Sequence, residues 1–130
     1  MKCTISGSFK KFYEEICIAY GIFEQNGIMV LSPKKSTIIN PGEEFALLAT
    51  DSTKLTIKQL EDGHLEAIAN SDFLYVVNPN GYIGNSVKFE MGYAHGHSKP
   101  IYSLDQIEDV TLHRYFSKIC LPKELADFLK

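Results

Sequence analysis

The strongest hydrophobic pattern in the chain lies between residues 72 and 100, DFLYVVNPNGYIGNSVKFEMGYAHGHSKP. Residues 73–77 are an unbroken run of aromatic, aliphatic and β-branched side chains, the composition of a strand buried on both faces. Asn78-Pro79-Asn80-Gly81 is a turn cluster that ends the strand. Gly84-Asn85-Ser86 then offers a helix N-cap, and Val87, Met91 and Ala94 follow at helical spacing. Glu90 lies three residues after Val87 and four before Ala94, so it shares the inward face of that helix. A strand, a polar glycine-rich loop and a helix in this order put the loop at the carboxyl end of a sheet strand. Open α/β sheets hold their ligands there. An acid on a buried face beside such a crevice is the leading candidate for chemistry.

The flanking pattern alternates in the same way. Residues 3–6 read as a short strand running into Gly7-Ser8. Phe9, Phe12, Ile16, Tyr20 and Phe23 follow at helical spacing, and Asn26-Gly27 closes that helix. Ser8 can cap it, and the backbone N–H groups at its start can hold an anion beside Lys10 and Lys11. Residues 28–31 form a second strand stopped by Ser32-Pro33. Residues 34–44 show no period and contain Pro41-Gly42, which reads as a flap over the crevice. Residues 45–49 are a short apolar run, a minor strand or part of that flap. Residues 53–70 read as a helix whose stripe is Ile57, Leu60, His64 and Ile68, so His64 points inward. Residues 101–104 form the next strand, and residues 110–120 and 123–129 read as helices broken at Pro122. The expected fold is a single α/β domain over residues 1–130, flavodoxin-like or Rossmann-like, with a mostly parallel sheet and helices on both faces.

Composition removes several function classes. The chain has 130 residues, a net charge of −3 and one arginine, Arg114, a poor match to a nucleic-acid polymer. No apolar run reaches membrane-spanning length and no signal-peptide segment opens the chain, so the expected location is cytoplasmic, with no membrane partner. Cys3, Cys17 and Cys120 show no CxxC spacing and read as reduced, buried residues. His95 and His97 stand at i and i+2, on different sides of a helix and without an accompanying acid or cysteine cluster. No metal is expected. Gly81-Tyr82-Ile83-Gly84 lacks the dinucleotide spacing and no Walker loop is present. Ser8 at the first helix start is the better phosphate candidate. Glu90 can act as nucleophile or base, and attack at an anomeric carbon would give a glycosyl-enzyme intermediate.

Ser6-Gly7-Ser8-Phe9, His64-Leu65 before Ser71-Asp72, Val76-Val77-Asn78, Gly81-Tyr82-Ile83-Gly84, Glu90-Met-Gly-Tyr-Ala94 and Lys99-Pro100-Ile101 carry a resemblance. In this order the chain resembles the nucleoside 2-deoxyribosyltransferase-like superfamily, which includes deoxyribosyltransferases and nucleoside 5′-monophosphate N-glycosidases. The resemblance implies cleavage or exchange of an N-glycosidic bond in a small-molecule nucleoside or nucleotide, with no cofactor. Glu90 matches the nucleophile that attacks C1′. Gly7, Ser8 and Phe9 match the loop that lines the sugar or 5′-phosphate; Gly84, Asn85 and Ser86 fall where the family offers further contacts. A homodimer or larger homo-oligomer is implied, with a neighbouring subunit completing the site. The chain departs from the family pattern at three places. Lys10 or Lys11 stands in for an arginine, Thr4 for a tyrosine, and the aspartate that holds sugar hydroxyls has no counterpart. His64, Asn78 or Asn80 can take that last task. Two other readings remain open at this point: a nucleotide-sensing module without turnover, and an NAD-cleaving glycohydrolase.

Overall fold

The computed structural model describes residues 1–39 and 56–130. Among them five strands form one sheet in the order β2-β1-β3-β4-β5, every pair parallel. They are β1 (Lys2–Ser6), β2 (Met29–Ser32), β3 (Phe73–Val76), β4 (Ile101–Ser103) and β5 (Phe116–Ile119). The helices are α1 (Phe9–Gln25), α2 (Lys35–Ile39), α3 (Ile57–Asn70), α4 (Asn85–Gly96), α5 (Val110–His113) and α6 (Pro122–Phe128). This strand order is that of the flavodoxin-like doubly wound sheet, whose switch point lies between β1 and β3.

Side-chain alternation on the central strands divides the interior into two cores. Phe73, Tyr75 and Val77 face α1 and α6, where they pack with Cys3, Ile5, Phe23 and Leu125. Leu74 and Val76 face the other way and pack with Ile68 of α3 and Val87, Met91 and Ala94 of α4. Edge-to-face aromatic pairs hold the first core, with Phe23 centred 5.8 Å from Phe73 and 5.2 Å from Tyr75. Burial pushes the Cys3 thiol up to about 12, so it behaves as a small apolar residue.

β1 is unlike β3. Its first-core residues, Cys3 and Ile5, are apolar, but Thr4 and Ser6 on the opposite side are polar and buried. Thr4 Oγ1 lies 2.8 Å from Ser71 Oγ, and Ser6 Oγ lies 3.0 Å from His64 Nε2. The second core therefore becomes polar towards the end of β1.

Local capping sets the helix starts. Ser8 Oγ accepts from the Lys11 backbone N–H, as its place before α1 predicts. α3 opens on a reciprocal capping box between Thr56 and Gln59. α4 starts after Gly84 with no side-chain cap. Between β3 and α4, both ends of the buried Asn78 amide bond the Asp105 backbone, and the Asn80 N–H bonds Asp105 Oδ2. These bonds fix the turn against the loop after β4.

Two expectations need correction. Residues 110–120 are not one helix: α5 ends at His113, and residues 116–119 form the outer strand β5. Phe116, Lys118 and Ile119 pair with β4, and that pairing outweighs local helical spacing. The expected flap starts instead with the short helix α2. The rest of the 34–44 segment, the 45–49 run and the 53–55 start of the expected helix lie outside the described residues.

Gly81 has φ +79°, and a Cβ there would stand 2.6 Å from the Gln106 carbonyl oxygen. Gly81→Ala is expected to lower unfolding free energy by about 1–3 kcal/mol. Gly21 lies inside α1 with open space around it, so Gly21→Ala is expected to raise stability by about 0.5–1 kcal/mol. Urea titration of both variants reads the two signs.

Candidate active site

A cleft of about 990 Å³ opens at the carboxyl ends of β1 and β2 and is bounded by the N-terminal ends of α1 and α4 and by one side of α3. The loop after β1 contributes Gly7 and Ser8 to its wall, α1 contributes Phe9 and Lys10, and the loop after β3 contributes Tyr82 and Gly84. Gly7 is a close-packing position, because a Cβ there would meet the Val77 carbonyl oxygen at 2.9 Å. Lys10 and Lys11 have different surroundings. The Lys11 ammonium sits 4.5 Å from the centre of the Tyr82 ring, whereas Lys10 lines the cleft.

Glu90 lies in the cleft wall on the inward face of α4 and is only 5 % exposed. His64 of α3 approaches it, with Nε2 3.3 Å from Glu90 Oε1. The same nitrogen lies 3.0 Å from Ser6 Oγ, and Nδ1 lies 2.6 Å from Ser32 Oγ. A carboxylate only accepts hydrogen bonds, so the network assigns a ring hydrogen to Nε2. In the neutral ring, Nδ1 then accepts from the Ser32 hydroxyl. Both ring nitrogens are thus engaged, and three elements hold the imidazole against Glu90.

Burial by itself would raise the Glu90 carboxyl. The hydrogen bond from His64 and its electrostatic attraction, with further hydrogen bonds from Glu61 and Ser6, outweigh burial and hold Glu90 below the usual glutamate range. A second acid stands beside it. Glu61, one turn before His64 on α3, has its carboxyl pushed up to about 8 by burial, then by its hydrogen bond to Glu90 and the charges of Glu90 and Asp62. At neutral pH the arrangement presents an ionised Glu90 and a protonated Glu61. An ionised carboxylate at the wall of an open cleft can attack an electrophilic carbon.

Of the residues singled out from the sequence, Gly7, Ser8, Phe9, Lys10, His64, Gly84, Ser86 and Glu90 all line this cleft, as does Asn85. Asn78 and Asn80 do not. The Asn78 amide is wholly buried and spent on Asp105, and Asn80 is an exposed turn residue with φ 58°. Glu61, Ser32 and Tyr82 are cleft residues that the sequence reading did not select. A signal for Glu61 was present, since it stands three residues before His64 and four after Ile57, on the same stripe. His95 packs edge-on against Tyr115 and His97 lies against Tyr93. No cluster of metal-ligating side chains occurs among the described residues.

The architecture is shared over nearly the whole chain with solved structures. The chain superposes on a CMP N-glycosidase, BcmB, of Clostridium botulinum with a TM-score of 0.60 and 15% identity, covering 99% of this chain and 97% of that one. It superposes on a 2-deoxyribosyltransferase of Bacillus psychrosaccharolyticus with a TM-score of 0.66 and 14% identity, over 98% and 91% of the two chains. A conserved protein of Enterococcus faecalis V583 matches at a TM-score of 0.62 and 13% identity, over 98% and 95%. At the level of sequence, no family model matches the chain and no curated protein does. Identities this low establish likeness of fold alone. No helix among the described residues is long and apolar enough to cross a membrane.

The carboxyl pair makes stability depend on pH. Among the described residues, the titratable groups around Glu61 include Glu90 from α4, Asp62, His64 and Glu66 from its own helix, and Lys10 and Lys34, which line the same cleft. Its folded pKa, about 8, exceeds the ordinary 4.5, so the folded state binds this proton more tightly than the unfolded chain. That contribution is fully present below about 4.5 and is lost as pH rises to about 8. Melting of Glu61→Gln from pH 5 to pH 9 is expected to show a variant whose advantage over wild type grows with pH. An advantage constant with pH would rule out the shared proton.

Proposed function

We propose that the protein cleaves or exchanges the N-glycosidic bond of a nucleoside or nucleoside 5′-monophosphate, with Glu90 as nucleophile. The observation that carries this reading is the state of Glu90, a carboxylate buried yet held ionised, in the wall of a cleft at the carboxyl end of a parallel sheet. One Glu90 oxygen attacks C1′ as the C1′–N bond breaks, and the bonding pair leaves with the base. The sugar is then held as an ester of Glu90. Water, or a second base, attacks C1′ and returns the electron pair to the carboxylate. His64, itself braced by Ser6 and Ser32, keeps the carboxylate aimed and ionised. The fold likeness to an N-glycosidase and a deoxyribosyltransferase supports the same reaction class.

Two helix starts support a phosphorylated substrate. The first residues of α1 and of α4 both line the cleft, and α4 has no side-chain cap to occupy its first N–H groups. Free N–H groups at a helix start attract anions. Lys10 adds a positive charge on the same wall. As a lysine it supplies charge without the paired donors of an arginine.

Chromatography of free base after incubation with nucleosides, nucleoside monophosphates and NAD tests the assignment. Wild type is expected to release base, and Glu90→Ala and Glu90→Gln to lose at least about 1,000-fold in rate while melting as folded proteins. Full activity in either variant would remove Glu90 as nucleophile. Nucleotide binding without base release would favour a sensing module, and nicotinamide release an NAD-cleaving enzyme. Lys10→Ala is expected to raise KM for monophosphates about 5- to 30-fold and to leave free nucleosides unchanged. Equal effects on both substrates would place the phosphate elsewhere.

A further inference from the structure

We propose that Glu61 is the acid–base group of the cleft, donating its carboxyl proton to the departing base and later accepting a proton from the attacking water. The proposal rests on the reading of Glu90 as nucleophile and assigns a role to a second carboxyl of the same site.

Glu61 lines the cleft from α3, within hydrogen-bonding reach of Glu90 on α4. Its Oε1 is buried with no hydrogen-bond partner among the described residues. The two carboxyls differ in their support. His64 and Ser6 stabilise negative charge on Glu90, whereas every influence on Glu61 among the described residues raises its carboxyl. Two carboxylates this close do not both ionise cheaply, so one proton is retained and the surroundings place it on Glu61. Carboxyls driven apart in this way mark the acid and the nucleophile of a glycosidic site.

The other titratable cleft groups are less suited. His64 is engaged at both ring nitrogens. Glu66 is exposed, and Lys10 is an exposed charge on α1. In the first step the Glu90–C1′ bond forms, the C1′–N bond breaks, and the Glu61 proton passes to the base. Glu61 is then a carboxylate beside an uncharged ester. In the second step water attacks C1′, its proton returns to Glu61, and the pair of the ester bond returns to Glu90. The sum is hydrolysis of the N-glycosidic bond, with both carboxyls restored.

The test compares Glu61→Gln with wild type on a nucleoside monophosphate and on a 4-nitrophenyl riboside, whose phenolate departs without a proton. Glu61→Gln is expected to lose about 100-fold or more on the nucleotide while keeping its nitrophenolate burst. The fall of wild-type kcat/KM as pH rises through about 8 is expected to vanish in the variant. Glu90→Gln should lose both substrates. Equal loss of both by a folded Glu61→Gln, or an unchanged nucleotide rate, would overturn the acid–base role and leave Glu90 in place. Wild type that cleaves neither substrate would overturn the glycosidic reading and this proposal with it. Carboxyl ¹³C titration of unmodified protein gives a measurement free of variant folding: Glu61 is expected to titrate well above Glu90, and an ordinary glutamate value for it would overturn the proposal.

Discussion

The structure turns on keeping a negative charge at Glu90 where water is largely excluded. An isolated buried carboxylate costs several kcal/mol and would simply take up a proton. Here the cost is offset by charge-assisted hydrogen bonding, each bond contributing about 1.5–3 kcal/mol. The His64 ring supplies the main interaction, and Ser6 and Glu61 add to it. Remove that support and burial alone would dominate, leaving a neutral acid that cannot act as a nucleophile.

The support depends in turn on β1. β3 presents Leu74 and Val76 to the helices α3 and α4, an ordinary dry interface. One strand over, β1 presents Thr4 and Ser6 at the equivalent positions, paired in register with Leu74 and Val76. The sheet thus changes from apolar to polar within one strand spacing, just where its connections diverge to opposite faces. Ser6 and Ser32, at the ends of neighbouring parallel strands, grip the two sides of one imidazole. Packing of Ile68 and Ala94 against β3 fixes the helices that carry His64 and Glu90. The apolar core sets the distances, and the polar strand end supplies the partners.

Much of this was visible in the residue pattern, for a physical reason in each case. The 73–77 run has the composition of a strand buried on both faces, and helical spacing behind Gly84 placed Glu90 inward with Val87 and Ala94. Capping chemistry marked Ser8 without any tertiary information. The losses came where partners far apart in sequence decide. Residues 116–119 have helical spacing, yet an open edge of the parallel sheet takes them as a strand. Asn78 carries the right groups to hold a sugar, but the Asp105 backbone consumes both ends of its amide. Glu61 was not singled out, because the residue that marks it, Glu90, lies on another helix.

That last case shows how the site separates two chemically identical side chains. Glu61 and Glu90 start with the same affinity for a proton and share a site. What distinguishes them is the direction of the imidazole, which donates to one and not to the other. Burial raises Glu61 first, its hydrogen bond to Glu90 and the charge of an ionised Glu90 raise it further, and a protonated Glu61 in turn donates back to Glu90. The two shifts run in opposite directions, and the hydrogen bonds of His64 and Ser6 decide that Glu90 is the one lowered. A single acid in this cleft could be tuned only by the balance of burial against hydrogen bonding. A pair holding one proton is tuned also by the repulsion between its members, and an acid and a carboxylate coexist in one cleft at neutral pH.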